Sequence, residues 1–353
     1  MNDVVDLLIV NHRDIYHPQA GGAEEVIKEV ATRLVSKGNR VTWFSESIKN
    51  RPSKEEYEGI LLKRRGGRAS VHIFSLKEAK KHEVVLDSIA HAVPFFSYLV
   101  NAKSIALVHH VHQDVVKYEL GYLSREAVRF LERQIKRYNY VVAVSETTKK
   151  DLHDKLHIDE SKVKVIYNGV DHLKFKPGEK DKEPTVLWIG RLKRYKNPFD
   201  IFEIKRRMKS RAKFVVVGSG DLSQQFAEES RKQDVLYLGR VDEKEKVSLY
   251  QRAWAILSTS FIEGWGMTIV EANSCGTPAV VYNTGSLPEV VQEGVNGFVV
   301  GYKDFDSAAK ALDYLMEEKN MKVMSRKSYE ESLKYDWDKT ALCYHKYINE
   351  ILG

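Results

Sequence analysis

Short apolar runs punctuate this chain, and each gives way to a segment of charged and apolar residues at helical spacing. Residues 4–10, 40–45, 84–89, 105–108 and 163–167, with the run from Tyr140, predict buried strands in the first half. Residues 185–189, 214–217, 235–238, 254–257 and 279–282 do so in the second. Between the first two strands, Val26, Ile27, Val30, Ala31 and Leu34 mark one face of a helix that stops at Lys37-Gly38. Ser145 is placed to cap another, and Met267, Ile269, Val270 and Ala272 supply the apolar side of a short helix starting near Gly266. Residues 305–332 read as amphipathic helix, and a last helix begins at Tyr335-Asp-Trp337. The stretch after Ser45, up to about Gly67, is charged and reads as irregular. Strands alternating with helices predict α/β layers around parallel sheets.

A length of 353 residues suits about two domains. Phe175 to Pro184 is polar with two prolines, which places a linker between a domain at 1–172 and another at 184–335. Apolar content of 43% and charged content of 30% are those of a globular protein. No apolar run approaches the length of a membrane-spanning helix. Met1-Asn-Asp lacks the basic start of a signal peptide, so a cytoplasmic protein is expected. Cys275 and Cys343 make neither a disulfide framework nor a metal-ligand spacing.

The net charge of +7 is local. From Lys49 to His82 there are ten basic residues against four acids, and Arg125, Arg129, Arg133, Lys136 and Arg137 step at helical spacing. Solvated surface is the plain reading. The sharper one is that the first domain makes peripheral contact with the inner face of an anionic membrane. Nucleic acid is the weaker partner, because only Tyr57 and Phe74 interleave the first basic stretch.

Candidate chemistry gathers where strands end. Gly264 and Gly266 free the backbone between Glu263 and the Met267 helix, whose first N–H groups can hold an anion. Gly190-Arg191-Leu-Lys-Arg-Tyr-Lys196-Asn sets two cations after another strand, and Gly21-Gly22 makes a tight turn after the first. Gly239-Arg240-Val241 follows a further strand. Gly218-Ser-Gly-Asp221 lacks the third glycine of a dinucleotide fingerprint. His109-His110-Val-His112 places three imidazoles together, but neither a nearby Cys nor a nearby Glu completes a metal site. His109, first after its strand, is the favoured site residue, with His110 as the rival register and His112 ranked after both.

Taken together these motifs resemble the retaining glycosyltransferases of family 4. Glu263 to Glu271 is similar to that family's E-x7-E element, Gly190–Asn197 to its G-R-L-x-x-x-K-N, and Ser145–Leu152 to its S-E-x-T-K-x-D-L. Asn168-Gly-Val-Asp171, Asn283–Glu289 and Gly294–Phe298 also match its turns in order. The resemblance implies a GT-B fold of two Rossmann-like doubly wound domains facing across a cleft. The first would be acceptor-side, the second would bind the nucleotide sugar, and the helix from 336 to 353 would pack back on the first. Arg191 and Lys196 would clamp the donor diphosphate, Gly190 would end the strand beside it, and Gly21 and Gly22 would face it. Gly264, Trp265, Gly266 and the N–H groups of Met267, Thr268 and Ile269 would complete that cradle. Glu263 would meet the sugar, Glu271 the ribose, Arg240 and Val241 the base, and His109 a sugar hydroxyl.

The implied reaction moves a hexose with retention to a glycan or lipid-linked acceptor, without a metal or other cofactor. UDP-glucose is the leading donor and GDP-mannose the next. Three other readings remain. A glycoside hydrolase could use the two glutamates as acid and base, an epimerase would share the fold, and a basic nucleic-acid-binding protein comes last.

Overall fold

The computed structural model describes residues 4–116 and 121–353. The chain forms two units, one running up to Gly169 and adding Trp337–Gly353, the other Val170–Asp336. The strands of the first are β1 Asp6–Val10, β2 Arg40–Ser45, β3 Lys54–Tyr57, β4 Ile60–Arg64, β5 Val84–Ile89, β6 Ser104–Val108, β7 Tyr140–Ala143 and β8 Val163–Val165. Among the described residues they form one sheet, ordered β3-β4-β2-β1-β5-β6-β7-β8. Every pairing is parallel except β3 with β4. Every residue of β5 and β6 is buried, as befits strands covered on both faces. From β1 the chain winds one way through β2 and the other way through β5 to β8, so the order reverses between β1 and β5.

The charged stretch read as irregular contains the β3–β4 hairpin. Its turn residues Glu58 and Gly59 have φ of +47° and +78°, the left-handed pair that a tight hairpin needs. Lys54, Glu56 and Glu58 are exposed at this sheet edge, and edge charge discourages pairing with another chain. The sequence pattern hid the hairpin because an edge strand need not be apolar.

Trp337–Leu352 forms a helix that packs on the Gly22–Ser36 helix of the same unit. Arg33 Nε donates to Asp338 at 2.6 Å, and Thr340 Oγ1 to the Tyr167 carbonyl at 2.8 Å.

The second unit has β9 Thr185–Ile189, β10 Lys213–Val217, β11 Leu236–Gly239, β12 Ala255–Ser258, β13 Ala279–Tyr282 and β14 Gly297–Val300. They form an all-parallel sheet ordered β11-β10-β9-β12-β13-β14, with its reversal between β9 and β12. Open parallel sheets bind ligands at the carboxyl ends of the strands flanking such a reversal. The helical region at 305–332 is two helices, Phe305–Leu315 and Glu318–Ser332. The division of the chain falls at 169/170, and residues 175–184 are packed on the second unit. Phe175 is buried there, and Trp254 Nε1 donates to the Asp181 carbonyl at 2.7 Å. Among the described residues no helix is long and apolar enough to cross a membrane.

Candidate active site

Two loops at the reversal of the second sheet carry most of the predicted residues, and they are laced together. The Gly190 N–H donates to Val217 O at 3.0 Å, and the Gly218 N–H to Gly239 O at 2.7 Å, so the turns after β9, β10 and β11 lie side by side. Gly218 has φ +133°, and a Cβ on it would stand 1.8 Å from the Gly190 carbonyl oxygen, which restricts the position to glycine. Leu192 is buried beneath this layer, whereas its neighbour Arg191 is exposed and has no ion-pair partner among the described residues. Farther along, Thr259 Oγ1 donates to Lys196 O at 2.8 Å, Asn197 Nδ2 to Thr259 O at 3.0 Å, and the Phe261 N–H to Tyr195 O at 2.7 Å.

This lacing brings Lys196 to Glu263. The ammonium donates to Glu263 Oε1, which also accepts the Ser260 hydroxyl at 2.9 Å. The Glu263 backbone is gripped from the turn after β13. The Ser286 N–H and hydroxyl donate to the Glu263 carbonyl at 3.1 and 3.0 Å, and Thr284 Oγ1 donates to Ser260 O at 2.6 Å. Gly285, at φ +54°, approaches so closely that a Cβ would lie 2.7 Å from Glu263 N and O.

The helix Met267–Ser274 starts from Gly266 at φ +82°. The Ile269 N–H donates to Gly266 O at 2.9 Å, which corrects its expected place among the anion donors. The N–H groups of Met267 and Thr268 meet no acceptor among the described residues. Trp265, buried at 3% exposure, packs edge-on against Tyr335 with ring centres 5.0 Å apart. On the second turn Glu271 is buried; Tyr250 Oη donates to its Oε2 at 2.9 Å and Lys246 Nζ lies 3.3 Å from Oε1. Burial pushes the Glu271 carboxyl above the usual range, and the Lys246 ammonium opposes this. Arg240 is exposed and Val241 half-buried in the turn after β11.

In the first unit, the Gly21 N–H donates to Glu24 Oε2 at 2.7 Å as the start of a capping box, and Asn11 Nδ2 ties Glu24 Oε1 to the end of β1 at 2.8 Å. Gly22 is exposed at the first helical position. His109 follows β6, with Nε2 2.9 Å from Ser88 Oγ. Burial, then the charge of His112, lowers its pKa to about 4, so the ring is neutral near pH 7. His110 lies over His112 with ring centres 3.9 Å apart, and His112 itself is held by Glu132, which accepts its N–H at 2.6 Å.

A model described as "Glycosyl transferases group 1" matches residues 170–331, and one described as "Glycosyltransferase Family 4" matches residues 20–173. The chain belongs to glycosyltransferase family 4. An uncharacterized glycosyltransferase of Methanocaldococcus jannaschii is 28% identical to this family-4 chain over 60% of the chain and 61% of that protein. The chain spans about half the length of the curated relatives it matches. Sucrose-phosphate synthase from Thermosynechococcus elongatus superposes with a TM-score of 0.82 at 18% identity, covering 98% of each chain. Anabaena HepE in complex with UDP and glucose superposes with a TM-score of 0.75 at 16% identity, over 98% of this chain and 100% of that one. The fold is GT-B.

Several residues of the family-4 chain that shape these sites carried no readable signal. Ser260, Thr284, Gly285 and Ser286 hold the Glu263 loop, and Lys246 and Tyr250 hold Glu271 from a neighbouring helix; all but Ser260 come from segments far away in sequence. Near the carboxyl ends of β1 and β5, His12 packs against His72, His91 and Phe95, with ring centres 5.0, 5.5 and 4.9 Å away. Burial is the first cause that lowers the pKa of His12 to about 3 and of His91 to about 2. Only the topology reveals that these histidines share a neighbourhood.

Proposed function

We propose that this protein transfers a hexose, with retention of configuration, from a nucleotide diphosphate sugar to a glycan or lipid-linked acceptor in cell-surface glycan or glycolipid assembly. The observation that carries this reading is the end of β9 laced to the end of β12. It sets the exposed Arg191 guanidinium, without an ion-pair partner among the described residues, in the same strand-end layer as Lys196, Glu263 and the N–H groups that start the Met267 helix. A departing diphosphate gains negative charge as the glycosyl bond breaks, and fixed donors aimed at it stabilise that state. No separate cofactor is required, because the two cations and the helix start supply the neutralising charge. No side chain need act as nucleophile.

In this reading Arg191 and Lys196 hold the diphosphate, with Gly190, Gly264 and Gly266 letting the backbone come close. Glu263 orients the hexose, Glu271 receives the ribose, and the Arg240–Val241 turn meets the base. His109, kept neutral, hydrogen-bonds a sugar hydroxyl, and Gly21 and Gly22 serve the phosphate end. UDP-glucose is the leading donor, in keeping with HepE described with UDP and glucose, and GDP-mannose is next. The protein works in the cytoplasm, in peripheral contact with the inner face of an anionic membrane where a lipid-linked acceptor would sit. A screen of nucleotide sugars for donor hydrolysis tests the proposal. Release of UDP from UDP-hexose, or of GDP from GDP-hexose, supports it, and no turnover of any donor contradicts it.

A further inference from the structure

We propose that residues 122–137 of the first unit form the surface that docks on an anionic lipid bilayer, an inference that rests on the lipid-linked-acceptor reading above. The helix Tyr122–Glu132 runs directly into the helical turn Arg133–Arg137. One side of this segment is fastened to the unit. Glu132 is buried, accepting the His112 N–H at 2.6 Å and Gln113 Nε2 at 2.6 Å. Arg129 donates through Nη2 to Gln113 O at 2.7 Å, and Ile135 is fully buried.

The other side is apolar and open. Leu123, Ala127 and Phe130 follow one another at spacings of four and three residues and so share a helix face. Leu123 is 82% exposed, Phe130 62%, and the adjacent Tyr122 69%. A contiguous stripe of this kind is costly in water and marks a contact surface. Its borders are cationic. Arg133, Lys136 and Arg137 are exposed, and Glu126 on the open side is balanced by Arg125 at 3.2 Å and Arg129 at 3.0 Å.

Leucine and aromatic side chains flanked by arginine and lysine suit the boundary between headgroups and acyl chains. There the apolar stripe enters while the long cationic side chains reach back to phosphates. The sign of the charge selects anionic lipid.

In the basic stretch from Lys49 to His82, which the sequence favours for this contact, four of the ten basic residues are ion-paired in the fold. Arg51 pairs with Glu55, Arg64 with Asp14 and Glu55, and Lys63 and Lys81 with Glu78. Lys49, Lys54, Arg65, Arg68, Lys77 and Lys80 remain exposed there, but among the described residues only Leu61 and Ile73 are large apolar side chains exposed beside them, so the stretch has charge without the leucine and aromatic stripe.

Co-sedimentation of the full chain with vesicles at low salt tests the proposal, using phosphatidylcholine alone and phosphatidylcholine mixed with phosphatidylglycerol. The wild type should bind the mixed vesicles and leave phosphatidylcholine largely unbound. Leu123→Glu with Phe130→Glu should weaken binding at least about tenfold. Replacing Arg133, Lys136 and Arg137 by glutamine should weaken it roughly fivefold per cation removed. Lys54→Gln with Lys77→Gln and Lys80→Gln should bind as the wild type does. Equal binding to both vesicle types, undiminished binding by either segment variant, or loss in the Lys54/Lys77/Lys80 variant overturns the proposal. So does a wild type that sediments as a dimer while Leu123→Glu/Phe130→Glu sediments as a monomer, since the stripe would then join two copies. Thermal stabilisation by UDP or GDP, measured in parallel, shows that each variant is folded. Its absence from the wild type would speak against the transferase reading and not against the vesicle result.

Discussion

The Lys196 ammonium rests on the Glu263 carboxylate, so a cation assigned to the diphosphate and an anion assigned to the hexose hold each other. Both side chains are mostly shielded, at 15% and 20% exposure. Lys196→Ala should lower kcat/KM by a factor of about 10²–10³, or roughly 3–4 kcal/mol of transition-state stabilisation, the cost of one preorganised charge donor. Because the two are partners, Lys196→Ala combined with Glu263→Ala should cost less than the sum of the single changes. Initial rates with the donor found by screening give both numbers; strict additivity would argue that the pair does not act as a unit.

The two glutamates should separate in their effects. Glu263→Ala should weaken the nucleotide sugar while leaving the affinity for the bare nucleotide nearly unchanged. Glu271→Gln, which removes a charged acceptor held by Tyr250 and Lys246, should weaken the nucleotide itself by about 1.5–3 kcal/mol. Calorimetry with UDP and with UDP-hexose, or the guanosine pair, compares them. Equal losses for both ligands in both variants would undo this division.

Gly285 is tested by adding one methyl group. A Cβ there would lie 2.7 Å from two backbone atoms of Glu263 on a left-handed backbone, so the loop must shift. Gly285→Ala should cost roughly 1–3 kcal/mol of stability and most of the activity. Thermal unfolding and turnover measured together check this, and a variant with wild-type values for both would show that the turn does not position Glu263.

His12 gives a pH signature. Its folded pKa of about 3 lies below the ordinary 6.5, so beneath pH 6.5 the unfolded chain binds the proton that the folded chain refuses. Stability from this group is therefore complete above pH 6.5 and is lost as pH falls toward 3. The slope is about 1.4 kcal/mol per pH unit at most, and shared in part with His91. The melting temperature of His12→Gln should fall less steeply than that of the wild type between pH 6.5 and 4.5. Parallel curves would contradict the account.

The fold was legible because parallel strands buried on both faces appear as plain apolar runs, and most of those runs became strands of the two sheets. The β3–β4 hairpin was not, since its charged residues sit at an edge that needs no apolar face. The glycines of the site were legible as turns, and Gly218 and Gly266 carry the positive φ that such turns demand. What holds the carboxylates was not legible. Ser286 reaches Glu263 from 23 residues away and Tyr250 reaches Glu271 from 21, and no local pattern encodes such pairings. Likewise, which of the basic residues are paired was not legible, since Arg64 reaches Asp14 across 50 residues of sequence.

The central claim is that the second unit holds a nucleoside diphosphate through cations and helix N–H groups at the reversal of its sheet. Isothermal calorimetry of the wild-type chain and Arg191→Ala with UDP and with GDP tests it most directly. Binding of one of the two by the wild type, weakened about tenfold or more in Arg191→Ala, is the predicted result. Heat from neither nucleotide, or equal affinity in both proteins, would contradict it.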